Sequence, residues 1–159
     1  MIIFLSGPIN SGKTTVSKIL ERKIKNLAVV EVDYLRKMIE WMPLEEAIPI
    51  NLENAISVIR TFTKNGLNTI MAYPIRKENH DYLINNLKDL GVDIYIFTLS
   101  PNMESILKNR GERELTEWDI ERIKYHYSIG IANPSFGETI DNTHQTPEET
   151  ADIIFSKIN

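Results

Sequence analysis

Apolar residues in this chain fall in short continuous runs separated by longer stretches in which they recur every three or four positions. The runs read as strands buried on both faces and the longer stretches as amphipathic helices, so their alternation predicts an α/β fold of parallel strands joined by helical crossovers. The first strand is Ile2 to Ser6. A helix from Lys13 to about Ile24 follows, with Val16, Ile19, Leu20 and Ile24 on one face, and then a second strand from Leu27 to Asp33. Tyr34 to Trp41 reads as a short helix. Pro43 and Pro49 bracket an irregular acidic stretch that leads into a helix from Leu52 to Lys64, with Asn51 as N-cap and Gly66 as stop.

The second half repeats the alternation. Leu67 to Tyr73 is the third strand, Lys77 to Leu90 a helix closed by Gly91, and Val92 to Leu99 the fourth strand. Pro101 suits the first turn of a helix reaching Asn109, and a break near Gly111 precedes a longer helix opened by Thr116 and Asp119 in capping-box spacing. A short fifth strand, about Glu138 to Asp141, leads to a last helix announced by Thr146, Pro147 and Glu149 as cap, first-turn proline and capping acid. No repeat, low-complexity segment or linker interrupts the pattern, which predicts one domain over residues 1–159.

Composition narrows the class. Over 159 residues, 42% are apolar and 25% charged, and no apolar run approaches a membrane span. The apolar start is too short for the core of a secretion signal, and cysteine is absent, which removes thiolate chemistry and disulfides; a cytoplasmic location is the expectation. The net charge is −4 with lysine and arginine scattered, so nucleic acid and anionic lipid are disfavoured as partners. Oligomeric state is left open. His80, His126 and His144 are widely separated, and neither metal binding nor catalysis is assigned to them.

One segment carries a complete chemical signature. Gly7-Pro8-Ile9-Asn10-Ser11-Gly12-Lys13-Thr14 matches G-x-x-x-x-G-K-[ST] between an apolar strand and an amphipathic helix. Such a loop turns several backbone N–H groups inward to cradle phosphates, with the helix N-terminus behind them. Lys13 would reach the outer phosphates, and the Thr14 hydroxyl would ligate the Mg²⁺ that bridges them. The candidate nucleotide-binding residues are therefore Gly7, Pro8, Ile9, Asn10, Ser11, Gly12, Lys13, Thr14 and Thr15, the last packing or capping at the helix start. A guanine-type N-K-x-D motif is missing, and strand three ends Met71-Ala72-Tyr73-Pro74 without a carboxylate. The acid must come from elsewhere. Glu31 and Asp33, two apart at the end of strand two, share a face, so both carboxylates are expected to point into the same crevice.

In these features the chain resembles the small P-loop kinases, the group that holds shikimate, gluconate and adenylylsulfate kinases and chloramphenicol phosphotransferase. The resemblance covers nearly the whole sequence: the loop at Gly7 to Thr14, Asp33-x-x-Arg36, Leu99-Ser100-Pro101 through Arg110-x-x-Arg113, and Ile140-Asp141-Asn142-Thr143 before the final helix. It implies a three-layer α/β/α P-loop NTPase fold with about five parallel strands in the order 2-3-1-4-5. It further implies ATP and Mg²⁺ as cofactors and transfer of the γ-phosphate to a hydroxyl of a small-molecule acceptor.

By that likeness Lys13, Asp33, Arg110 and Arg113 are the candidate catalytic residues, the two arginines on a lid-like segment around 109–116. Thr14, Glu31 and Asp33 are candidates for the metal, Arg110, Asn142 and Thr143 for the nucleotide, and Asp33, Arg36, Trp41 and Arg76 for the acceptor. Arg122 is a weaker candidate for a nucleotide contact. The pattern expected of a shikimate site is not evident, so the acceptor is unnamed. Two other readings stay open: a nucleoside, nucleotide or polynucleotide 5′-kinase, and a non-catalytic ATP-binding regulatory module.

Overall fold

A computed structural model describes residues 1–108 and 114–158. In chain order these form β1 (Ile2–Ser6), α1 (Lys13–Lys23), β2 (Leu27–Glu31), α2 (Val32–Lys37), α3 (Leu44–Lys64), β3 (Asn68–Ala72), α4 (Lys77–Leu87) with a 3₁₀ turn at Lys88–Leu90, β4 (Ile94–Leu99), α5 (Met103–Ile106), α6 (Glu117–Ser128), β5 (Glu138–Ile140) and α7 (Pro147–Lys157). The strands make one parallel sheet in the order β2-β3-β1-β4-β5. None of the described helices is long and apolar enough to cross a membrane.

β1 runs through the middle and is buried along its whole length, which explains its unbroken apolar run. Its side chains alternate between two cores. Ile2 and Phe4 join Leu52, Ala55, Ile59, Leu83 and Leu87 of α3 and α4. Ile3 and Leu5 join Val16, Leu20, Ala151 and Ile154 of α1 and α7 on the other face. The sheet is thereby covered on both sides, and its carboxyl edge, where β1 turns into α1, is left for a ligand.

Local signals set several boundaries. The Thr116–Asp119 and Thr146–Glu149 capping boxes are both formed, and Pro147 occupies the first turn of α7. Gly91 closes the 3₁₀ turn in the left-handed conformation, φ 65°.

Several boundaries differ from the sequence pattern; the short helix expected over Tyr34 to Trp41, for one, ends at Lys37. α3 starts at Leu44, not Leu52, and runs through Pro49; Asn51 is a buried interior residue and no cap. The apolar stripe Ala47, Leu52, Ala55, Ile59 continues across the proline, and its burial outweighs the cost of the missing N–H, about 3 kcal/mol in a helix interior. β2 ends at Glu31 and α2 begins at Val32, so Asp33 lies on the first helical turn and the shared strand face of Glu31 and Asp33 does not exist. The helix predicted from Pro101 starts at Met103, because the Asn102 side chain caps it by accepting the Ser105 N–H at 2.7 Å.

Candidate active site

The loop between β1 and α1 is held open from below by its own lysine. Lys13 Nζ donates to the carbonyls of Gly7 at 2.9 Å and Pro8 at 2.6 Å. Burial of its ammonium lowers the pKa to about 8, and the nearby Asp33 carboxylate partly opposes that shift. Gly7 has φ 137°, and a Cβ there would meet the Leu99 carbonyl oxygen at 2.4 Å. Only glycine allows this close crossing of β1 and β4. Asn10, also left-handed at φ 66°, ties the loop to α5 by donating from Nδ2 to the Ile106 carbonyl at 3.0 Å.

Two further struts come from the distant end of the chain. The buried Asn142 donates from Nδ2 to the Ser11 carbonyl at 2.9 Å. His126 accepts the Ile9 N–H on Nδ1 at 3.3 Å, which requires that nitrogen to be unprotonated. The ring is only 2% exposed, and burial together with the positive charges of Arg122, Lys13 and Arg76 lowers its pKa to about 3. His126 is therefore a neutral imidazole at neutral pH.

The loop divides two cavities. One, of about 790 Å³, is lined by residues 10–16 with Asn142, Gln145 and Pro147. The other, of about 300 Å³, is lined by Lys13, Thr14, Asp33, Tyr73, Arg76, Asn79, Trp118, Asp119, Arg122 and His126, among others. Asn10, Lys13 and Thr14 line both. Tyr73 marks the charge pattern of the smaller cavity: burial raises its pKa, Asp33 and Glu45 add to the rise, and Arg122 and Arg76 oppose it.

Of the residues singled out from sequence, Ile9, Asn10, Lys13, Thr14, Asp33, Arg76 and the weaker candidate Arg122 are brought together here. Asn142 is placed beneath the loop, and Thr143 Oγ1 accepts the Asn102 N–H at 2.8 Å, joining the β5 end to α5. Three do not converge. Arg36 donates to the carbonyls of Ile39, Glu40 and Met42 and so closes the end of its own helix, with no part in the cavity lining. Trp41 is 80% exposed and likewise outside the lining. Glu31, the last residue of β2, does not line it either. Arg110 and Arg113, with the lid-like segment that holds them, fall outside the described residues apart from its end at 114–116.

His126, Tyr73, Asn79 and Trp118 were not singled out in advance as site residues. His126 had one visible signal: with Asp119 and Ile123 it forms the buried stripe of α6, a polar residue on a core-facing position.

No protein-family model matches the chain. Among curated proteins, a bifunctional pantoate ligase/cytidylate kinase of Prochlorococcus marinus is 29% identical over 72 residues, which is 43% of this chain and 14% of that protein. The chain thus spans a small part of that relative. Solved structures match over nearly the full length. The tunicamycin resistance protein of Deinococcus radiodurans is 19% identical with a TM-score of 0.70, covering 99% of this chain and 95% of that one. A sugar kinase from a Janibacter species is 17% identical with a TM-score of 0.73, covering 99% and 93%. The APS kinase of Mycobacterium tuberculosis, in complex with AMPPNP and APS, is 17% identical with a TM-score of 0.66, covering 99% and 96%. The fold is that of the P-loop kinases.

Proposed function

We propose that this chain is an ATP-dependent phosphotransferase that moves the γ-phosphate to a hydroxyl of a small-molecule acceptor. The observation that carries the reading is the pair of cavities that meet at Lys13 and Thr14. A nucleotide laid along the larger one, its base toward Asn142 and Thr143, would present its terminal phosphate to the smaller one, where Asp33 waits. Such a placement would set donor and acceptor side by side, as phosphoryl transfer needs.

In this reading the backbone N–H groups from Asn10 to Thr15 hold the phosphates, and Lys13 leaves its carbonyl partners to neutralise the outer ones. Asp33, on the first turn of α2, holds the acceptor hydroxyl and takes its proton as the bond to the γ-phosphorus forms and the bond to the bridging oxygen breaks, releasing ADP. The donor set suits Mg²⁺, which keeps most of its shell as water and phosphate oxygens: the Thr14 hydroxyl and the Asp33 carboxylate line one cavity beside Lys13. When bound, the ion would neutralise charge on the phosphates. Glu31 would act on it only from a distance. Arg110 and Arg113 keep the role that the resemblance implies, charge stabilisation over the transferring group, in a single domain whose remaining parts build the two cavities. The acceptor reading is supported by the structural neighbours, kinases for small molecules among them.

Incubation with γ-labelled ATP and separate pools of metabolites, RNA and DNA tests the reading. Label in a small hydroxylated molecule supports it. Label on polynucleotide ends would favour a 5′-kinase, and tight ATP binding without any labelled product would favour a regulatory module.

A further inference from the structure

The smaller cavity holds more fixed positive charge than phosphate transfer through Lys13 requires. Arg76, just beyond β3, donates from Nη2 to the Tyr125 hydroxyl at 3.0 Å, and its guanidinium carbon lies 5.5 Å from the centre of that ring. Arg122, one turn before Tyr125 on α6, lies 5.0 Å from the same ring. Both arginines line the cavity that contains Asp33. Arg76 has one long ion pair, to the mostly exposed Glu45 at 3.9 Å, and Arg122 has none among the described residues. Asp119, the acid one turn back on α6, receives the N–H and hydroxyl of Thr116 in the capping box. Guanidinium groups resting on an aromatic ring are held in place with their donors turned outward, and such planar forks match the geometry of an oxyanion.

We infer that Arg76 and Arg122, spaced by Tyr125, form an anion-binding subsite in the acceptor cavity, so that the acceptor carries an oxyanion group in addition to its reacting hydroxyl. The inference rests on the kinase reading for the word acceptor, and on the arginine geometry alone for the anion site. Lys13 is committed to the donor phosphates, which leaves these two cations for a second group. Asp33 then faces the hydroxyl from α2 while the arginines grip the anion from β3 and α6, fixing the molecule at two points. A carboxylate and a phosphate or sulfate ester share this chemistry.

The subsite is tested with the full chain, loaded with AMPPNP and Mg²⁺ so that the loop is filled, and titrated with inorganic sulfate and in parallel with acetate. Arginine side-chain NMR signals report binding. Saturable shifts at Arg76 and Arg122 are expected. Affinity should weaken about tenfold in Arg76→Gln or Arg122→Gln, the loss of one charge-assisted pair, and stay within about twofold in Arg60→Gln, whose bidentate partner Asp89 lies elsewhere. The tighter of the two anions names the group. Binding only when the nucleotide site is empty, or unchanged in both glutamine variants, overturns the inference; the Arg→Lys variants, which keep the charge, guard against loss of folding as a cause. Label transfer to a neutral product that Arg122→Gln leaves unchanged would overturn the subsite and keep the kinase. Anion binding at the arginines with no transfer from ATP to any pool would keep the subsite and overturn the kinase.

Discussion

The neutral His126 makes the stability of the chain depend on pH in a way that one substitution should remove. Its pKa is about 3 in the folded chain and 6.5 in an ordinary environment. Above pH 6.5 both states carry a neutral ring and the term is silent. Below it the unfolded chain takes up a proton that the folded one refuses, so stability falls as pH falls, until the folded ring also titrates near pH 3. At pH 5 the full difference corresponds to about 2 kcal/mol, and screening by water in the adjoining cavity trims it to about 1–2 kcal/mol. Acids with lowered pKa values, such as Asp81, Asp89 and Asp141, act mainly at lower pH. The test is urea denaturation at half-unit steps between pH 7.5 and 5 for wild type and His126→Asn. Asparagine keeps an acceptor near the position of Nδ1 and cannot titrate. Wild type should lose midpoint steadily below pH 6.5 while the variant stays nearly level. Parallel losses in the two proteins, or a ring that NMR shows protonated at pH 6, would refute the neutral buried imidazole and with it the Ile9 N–H contact.

Other consequences follow from named contacts. Gly7→Ala should destabilise by about 3 kcal/mol, combining backbone strain with overpacking against Leu99, whereas Gly66→Ala, with no atom within 4 Å of its Cβ, should cost only the left-handed backbone term of about 1 kcal/mol; thermal melts compare them. Affinity for an ATP analogue, measured by calorimetry, should decline above about pH 8 as the free Lys13 ammonium loses its proton, and Lys13→Ala should bind weakly at every pH. Thr146→Ala removes the α7 cap and should lower stability by about 1 kcal/mol in chemical denaturation without changing nucleotide affinity.

What the sequence disclosed was mostly local. The phosphate loop is a contiguous motif, the two capping boxes are fixed by residues three apart, and the buried run of β1 announces its central place. Legibility failed where burial overrode a local preference. Pro49 marks a break by its own chemistry, yet the apolar stripe on both sides of it keeps α3 continuous. Val29, Val30 and Val32 prolong the look of a strand past Glu31, which hid the turn that lifts Asp33 onto α2. Arg36 and Asp33 are one turn apart, but proximity along a helix did not reveal that the guanidinium would reach the carbonyls of residues 39, 40 and 42. The contacts of His126 with Ile9 and of Arg76 with Tyr125 join residues far apart in the chain, and no short-range pattern encodes such pairs.

The central claim, that Asp33 acts on an acceptor hydroxyl beside a filled phosphate loop, meets its most direct test in one comparison. Wild type and Asp33→Asn are incubated with γ-labelled ATP and a metabolite pool, with ATP-analogue affinity measured on the same two proteins. Loss of a general base lowers transfer by about two to four orders of magnitude, so with affinity measured without Mg²⁺, because Asp33 is also placed on the ion, near-equal nucleotide affinity is expected, with labelled small-molecule product from wild type and almost none from the variant. Equal rates of transfer from both proteins would contradict it.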